Sequence, residues 1–208
     1  PQRELYRLWL LFALACASWG VGGCVIATSQ DAQQALLAWR FSVAFGVLWI
    51  PVFFLNFVYE FCEFRNKRFL PYVYLINSGL AGLTLTNLVF SDSRYVFDSF
   101  YYCSPGSLFM VYFIWWAFVF SWSLWLLIKT RASSNVHKKS QINYTFAAIG
   151  IGAIGGTFNH LPVFGVDLYP WSNFAIPLFP LIISYAILRH QLMDIEVIVR
   201  RATVFAGL

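Results

Sequence analysis

The sequence predicts an all-α membrane protein: a polytopic bundle of six transmembrane helices with both chain ends in the cytoplasm. Six long stretches of the 208 residues contain no Asp, Glu, Lys, Arg or His. Each stretch is long enough to cross a bilayer core of about 30 Å, which takes about 20 apolar residues of helix. Loops rich in Lys and Arg alternate along the sequence with loops that contain few of them, as expected of a chain that crosses a membrane several times.

The six predicted spans follow one another with short connections, apart from two longer loops, Asp92–Gly106 and the polar, basic Lys129–Gln141. The spans are Leu8–Thr28, Phe41–Tyr59, Phe69–Ser91, Ser107–Ile128, Ile142–Asn159 and Leu168–Leu188. Residues 1–188 therefore form the predicted bundle, and residues 189–208 form a cytoplasmic juxtamembrane segment. We expect this segment to be truncated, because a new apolar run begins at its end.

Twelve of the fourteen Lys and Arg residues fall on one side of the predicted bundle, together with both chain ends. They are Arg3, Arg7, Arg65, Lys67, Arg68, Lys129, Arg131, Lys138, Lys139, Arg189, Arg200 and Arg201. Positive charge marks the cytoplasmic face, so the predicted outer loops are Ser29–Arg40, Asp92–Gly106 and His160–Asp167. The net charge of +5 is explained by this asymmetry beside anionic lipid, and we expect no nucleic-acid partner.

Polar and aromatic side chains gather at the outer ends of the predicted spans. The candidate ligand-binding residues among them are Arg40, Asn87, Asn159, His160, Tyr169, Trp171 and Asn173. In a bundle they could surround an outward-facing cavity for a small-molecule or lipid signal. The alternative explanation is ordinary interfacial polarity with hydrogen bonds between helices, since the ends of spans are polar in any case. The spans hold almost no ionisable residues, which argues against a proton pump, an ion-coupled transporter or a voltage sensor.

Glycines and prolines mark the last two predicted spans. Gly152 and Gly156 form a GxxxG pattern, which predicts close packing against another helix. Pro177 and Pro180 each remove a backbone hydrogen bond inside the sixth span. They indicate either a static bend or a hinge between the outer and inner ends of that span.

The sequence predicts no catalytic, metal or cofactor site. It contains no Gly-x-Ser-x-Gly, His-Glu-x-x-His or P-loop motif, and its four cysteines form no Cys-x-x-Cys or Cys/His cluster. Aromatic residues make up 20% of the chain. Many lie near span ends, including Trp39, Tyr59 and Tyr102, and are predicted to lie at the membrane interfaces.

Four stretches resemble, in the same order, the seven-helix N-terminal sensor region of bacterial membrane histidine kinases. They are Ala17–Gly20, Trp39–Phe41 followed by Pro51–Leu55, Gly165–Pro170, and the closing segment Ser184–Ile195 with the sequence SYAILRHQLMDI. That family has seven spans and an outside N-terminus, so the resemblance implies that this sequence begins after the family's first helix. It also implies a signal-sensing domain in the bacterial cytoplasmic membrane, coupled to a cytoplasmic kinase or a similar output.

Two functional hypotheses remain open. In the first, the chain is a sensory domain that is not catalytic itself, and its sixth span transmits a signal from the outer half to Arg189–Arg201. In the second, it is a structural or accessory subunit of a larger membrane complex. Besides the lipid bilayer, the partners that we expect are a small-molecule or lipid signal and either a second copy or a larger complex. Kinase sequence in the full reading frame would favour the first hypothesis.

Overall fold

The structure of the chain, a computed structural model, describes residues 2–166, 168, 169, 171, 179 and 182. The helices are α1 (Gln2–Thr28), α2 (Ala32–Ser42), α3 (Trp49–Phe61), α4 (Leu70–Thr84), α5 (Phe109–Ser133) and α6 (Val136–Phe158). A π-helical turn, Val43–Val47, joins α2 to α3, and a short 3₁₀ turn, Pro162–Phe164, follows α6. Two strands, β1 (Phe90–Val96) and β2 (Phe100–Pro105), lie between α4 and α5.

Four helical segments within the described residues are long and apolar enough to cross a membrane. They are Arg3–Thr28, Ala32–Phe61, Phe109–Ser133 and Val136–Phe164. They correspond to the first, second, fourth and fifth predicted spans, and the protein is mostly helical as expected. The predicted sixth span lies almost entirely outside the described residues, so the count of six spans and the cytoplasmic ends stay predictions.

The second predicted span is longer than expected. Asp31 caps the N-terminus of α2, because its side-chain oxygen accepts the backbone N–H of Gln34 at 2.8 Å. The helix then continues through the π-helical turn to Phe61, so the predicted outer loop Ser29–Arg40 is wrong for most of its length. Pro51 follows the wide turn directly and has no N–H to donate to the preceding turn, which favours such an irregularity.

The third predicted span, Phe69–Ser91, is wrong beyond Thr84. Helix α4 has 15 residues and is therefore only about 22 Å long, shorter than a bilayer core. The hydroxyls of Thr84 and Thr86 donate to the carbonyls of Ala81 and Leu83, both at 2.7 Å. Such side-chain bonds to the backbone compete with helix continuation.

The predicted outer loop Asp92–Gly106 is an antiparallel β-hairpin, so the all-α prediction is also wrong in this region. Its register pairs Asp92 with Ser104 and Val96 with Phe100. Phe, Tyr and Val are six of the thirteen strand residues, and these residue types favour the pleated conformation. The tight connection places Phe97 and Asp98 at positive φ, 55° and 48°.

The predicted polar loop Lys129–Gln141 is almost entirely helical. Helix α5 extends to Ser133 and α6 begins at Val136. Asn135 caps α6 by accepting the backbone N–H of Lys138 at 2.9 Å. Lys138 Nζ in turn donates to the carbonyl of Phe61 at 2.6 Å. The end of α3 and the start of α6 meet here. We call this region, together with the α5–α6 connection, the basic end of the bundle.

Two clusters of buried side chains form the core. One lies toward the basic end and includes Phe12, Phe57 and Leu127, whereas the other lies beneath the hairpin and includes Trp39 and Tyr102. We call this second region the hairpin end. Trp39, Tyr59 and Tyr102 are buried, with exposures of 8%, 6% and 1%. These three rings therefore pack against other parts of the protein, and their position at the membrane interfaces stays a prediction.

Candidate functional site

A cavity of about 80 Å³ lies among α1, the α2–α3 helix, α5 and α6, toward the hairpin end. Nine of the twenty described lining residues are Phe, Trp or Tyr: Phe12, Trp19, Trp39, Phe90, Phe109, Tyr112, Trp116, Phe120 and Phe179. Polar side chains enter the wall mainly at the end of α6, from Asn159 and His160. A single water needs about 10–15 Å³ of such space, so the cavity has room for a small molecule.

The π-helical turn and α1 meet at unusually short range beside this cavity. A Cβ atom added at Gly46 would lie 2.8 Å from the backbone nitrogen of Trp19 and 3.0 Å from the carbonyl of Ala15. Glycine is therefore needed there, because it alone lets two helix backbones come so close. The contact fixes Trp19 of α1 and Val43 and Val47 of the turn, and all three line the cavity.

His160 connects α6 to α5 at the cavity wall. Its Nδ1 lies 3.1 Å from the carbonyl oxygen of Gly156, and its Nε2 lies 3.3 Å from the hydroxyl of Tyr112. The neutral tautomer protonated on Nδ1 satisfies both contacts: Nδ1 donates to the carbonyl, and Tyr112 donates to Nε2. The rings of Phe113 and Trp116, with centroids 5.1 and 5.5 Å away, hold the imidazole in place.

The hairpin closes the cavity from the hairpin end. The hydroxyl of Tyr102 donates to Asn159, whose backbone carbonyl and side-chain oxygen (2.8 Å) both lie within reach. Arg94 Nη2 donates to the carbonyl of Pro162 at 2.6 Å, which gives the hairpin a second bond to the segment after α6. Burial raises the pKa of the Tyr102 hydroxyl and of the Cys103 thiol, so both stay protonated at neutral pH.

Arg40 and Asn87 form a separate pair. Arg40 Nη2 donates to the side-chain oxygen of Asn87 and to the carbonyl of Phe90, the latter at 2.7 Å. Its Nε is buried and has no acceptor among the described residues. Neither side chain belongs to the described cavity wall. The pair instead fixes the chain where it enters β1.

Tyr169 and Trp171 lie against the hairpin. The ring of Tyr169 contacts Phe97 and Phe100 with centroids 5.4 and 5.9 Å away, and Trp171 lies 4.7 Å from Tyr169. The remaining predicted residues, Asn173, Pro177 and Pro180, lie outside the described residues. The structure thus divides the described candidates into three groups, of which Asn159 and His160 alone line the cavity.

Two glycines of α6, Gly152 and Gly156, line the cavity as well. A Cβ at Gly152 would lie 3.6 Å from the ring of Phe179, whereas a Cβ at Gly156 would meet no heavy atom within 4 Å. The close helix approach expected at Gly156 is therefore not found among the described residues, whereas Gly46 of the π-helical turn does meet the backbone of α1.

Sequence reasoning missed Tyr112 and Trp116 as site residues. Together with Phe120 they follow one face of α5 at intervals of four residues, a spacing that could have indicated a shared stripe. The arrangement that results can enclose an apolar molecule and offer it a few oriented hydrogen-bonding groups. Within the described ranges, no three His, Cys, Asp or Glu side chains come together as a metal site would require.

Comparison with known proteins gives one family. A family model described as the N-terminal 7TM region of histidine kinase matches residues 2–196. No curated protein and no solved structure matches the chain. The 7TM region is a non-catalytic membrane region of histidine kinases with a role in signal transduction. Because the match covers nearly the whole sequence, the chain belongs to the family of N-terminal 7TM regions of histidine kinases.

Proposed function

We propose that the chain is the signal-input region of a histidine-kinase-like receptor and that its signal molecule binds in the cavity at the hairpin end. The observation that carries the proposal is the aromatic-walled cavity itself, which α1, the α2–α3 helix, α5, α6 and the hairpin all line. A molecule bound at such a junction contacts several helices at once. Its binding therefore favours one arrangement of those helices over another.

Phe179 gives the signal a route out of the cavity. Its ring lines the cavity and lies 5.3 Å from the ring of Phe12 and 6.0 Å from that of Trp9, both on α1. It belongs to the predicted last span, Leu168–Leu188, which leads to Arg189–Arg201. We propose that cavity occupancy changes the position of this span and that the hinge lies at the two prolines on either side of Phe179.

We also propose that the hairpin end faces the outside of the bacterial cytoplasmic membrane. The basic end carries Lys67, Arg131 and Lys138, and positive charge favours the cytoplasmic side. A signal molecule would then enter from the outer side, and the chain end that follows the last span would lie in the cytoplasm with the output domain.

The test uses the full-length protein, expressed from its complete reading frame in membrane vesicles. Autophosphorylation from ATP is compared in the wild type, in Gly156→Val and in Gly79→Val. Gly156 lines the cavity and its Cβ would meet no heavy atom within 4 Å, so we expect the side chain of valine at this position to take up cavity space. Gly79 is a matched control, because it is an exposed helical glycine whose Cβ would also meet no atom within 4 Å.

We expect Gly156→Val to change phosphorylation by about fivefold or more, the lower end of typical allosteric coupling, and Gly79→Val to leave it unchanged. Equal phosphorylation in all three proteins would refute the cavity as the signal site. A full-length protein without ATP-dependent phosphorylation that purifies within a larger membrane assembly would favour the structural-subunit hypothesis instead.

A further inference from the structure

The described wall of the cavity carries no Asp, Glu, Lys or Arg. Apolar side chains make up most of it, and moving an ionised ligand group into such surroundings without a partner charge costs many kcal/mol. A ligand that enters this space is therefore favoured when it is uncharged. Its body should be apolar, since it contacts mainly aromatic and aliphatic side chains.

Most hydrogen-bonding groups of the wall already have partners within the protein. Tyr112 donates to His160 Nε2, and His160 Nδ1 donates to the carbonyl of Gly156. Asn159 accepts from Tyr102, and the indole N–H of Trp39 donates to the carbonyl of Tyr101 at 3.2 Å. These contacts leave few donors for a bound molecule.

Trp116 is different. Its side chain lines the cavity and is 7% exposed, and its Nε1 has no hydrogen-bond acceptor among the described residues. The ring is held by Phe120, stacked at 5.7 Å with an interplanar angle of 5°. Buried donors are nearly always paired in proteins, so this unpaired indole N–H indicates that an acceptor arrives from elsewhere. Because Nε1 itself has almost no accessible surface in the empty cavity, the ring must shift toward the cavity to meet that acceptor.

We infer that the cavity binds a small, uncharged molecule with an apolar body and one hydrogen-bond acceptor, such as a carbonyl oxygen, which Trp116 Nε1 binds. This inference rests on the proposed function, since it names the chemistry of the molecule that the sensory cavity receives. The acceptor could belong to a soluble molecule or to the ester carbonyl of a membrane lipid, which offers the same chemistry.

The size of the cavity limits the ligand. An apolar cavity of about 150 Å³ holds benzene, so a cavity of about 80 Å³ suits a molecule with fewer heavy atoms than benzene. Three probes of equal size are therefore suitable: cyclobutanone with an acceptor, methylenecyclobutane without one, and cyclobutylammonium with a charge.

The experiment is NMR on the 208-residue chain in nanodiscs of ether-linked lipids, with nitrogen-15 in the tryptophan indoles. The chain has 9 Trp, and Trp116→Phe assigns the signal of Trp116. We expect cyclobutanone to move the indole proton of Trp116 downfield in a saturable way. Methylenecyclobutane should compete with it without causing the downfield change, and cyclobutylammonium should not bind. Gly156→Val should abolish the response, and Gly79→Val should keep it.

Three results would overturn the inference: no change of the Trp116 signal with cyclobutanone, an equal downfield change with methylenecyclobutane, or an unaltered response in Gly156→Val. Ester-linked nanodiscs distinguish the two sources of the acceptor. A lipid carbonyl in the site would place the Trp116 proton downfield before any probe is added. If the natural ligand is instead a soluble molecule, the Trp116 signal still responds to added cyclobutanone.

Failure here is distinguishable from failure of the proposed function. If Trp116 responds to cyclobutanone but phosphorylation is unchanged in Gly156→Val, the cavity is a ligand site without a sensory role. Altered phosphorylation in Gly156→Val without any NMR response would leave the sensory cavity and remove this ligand chemistry.

Discussion

Alanine at Gly46 and alanine at Gly156 should change stability in opposite directions, although both replace a helical glycine. At Gly46 the new Cβ would lie 2.8 Å from the backbone nitrogen of Trp19 and 3.0 Å from the carbonyl of Ala15. Backbone atoms cannot rotate away as a side chain can, so α1 and the π-helical turn would have to separate. Overpacking of this kind costs about 1–3 kcal/mol.

At Gly156 the added methyl group meets no heavy atom within 4 Å. The main effect is then on the helix itself, because glycine in a helix interior is less favourable than alanine by about 0.5–1 kcal/mol. Gly156→Ala should therefore be more stable than the wild type by about that amount. The two variants should differ from each other by about 1.5–4 kcal/mol.

The assay is reversible unfolding in mixed micelles with increasing SDS, followed by far-ultraviolet circular dichroism. Gly79→Ala serves as a control for helix propensity alone and should resemble Gly156→Ala, since its Cβ also lies in open space. Equal stability of Gly46→Ala and Gly156→Ala would show that α1 does not press on the π-helical turn. A destabilised Gly156→Ala would show that the cavity is not open beside α6.

Three further predictions concern topology, the Arg40 pair and the hinge. An impermeant maleimide added outside intact cells should label Ser99→Cys at the hairpin tip and miss Ser133→Cys at the basic end; the reverse would overturn the orientation. The native Cys103 should stay unlabelled in the same experiment, because it is buried and burial raises its thiol pKa. Arg40→Gln should lower the free energy of unfolding in SDS titrations by about 1.5–3 kcal/mol, since it removes charged hydrogen bonds; unchanged stability would show that these bonds contribute nothing. Pro177→Ala should alter phosphorylation of the full-length protein without reducing its membrane insertion, and wild-type phosphorylation would remove the hinge.

The membrane class was predictable from the sequence because the length of an apolar stretch is a local property. The places where helices begin and end were less predictable. Asp31 and Asn135 cap helices that start earlier than the apolar runs do, since polar residues in Ala32–Arg40 and Val136–Gln141 are compatible with a helix outside the bilayer core. The hairpin was missed because most of it was predicted as an outer loop. Its first strand, FSDSRYV, mixes Phe, Tyr and Val with Ser, Asp and Arg, so hydropathy does not distinguish this strand from a polar loop.

The candidate site was predictable only in part. Asn159 and His160 attracted attention as polar groups at a span end, and both line the cavity. Tyr112 and Trp116 did not, because α5 is apolar on every side. Their four-residue spacing indicates a shared stripe but does not show that this stripe, rather than another, meets other helices. The close contact of Gly46 with α1 was also beyond sequence reasoning, since the GxxxG pattern of α6 pointed elsewhere. Which residues line the cavity, and which glycine contacts another helix, depend on which helices become neighbours. The spacing of residues along one helix does not contain that information.

The unpaired N–H of Trp116 can be weighed directly against a paired one in the same cavity wall. Trp39→Phe and Trp116→Phe delete the same atoms from buried rings, but the indole N–H of Trp39 donates to Tyr101 and that of Trp116 has no described acceptor. Trp39→Phe leaves a carbonyl without its donor, which costs about 1–3 kcal/mol, whereas Trp116→Phe removes an unsatisfied donor. In SDS titrations without added probe, Trp39→Phe should therefore be the less stable variant by about that difference. Equal losses would mean that Trp116 Nε1 already has an acceptor in the empty protein, and its N–H would then not be available to a ligand.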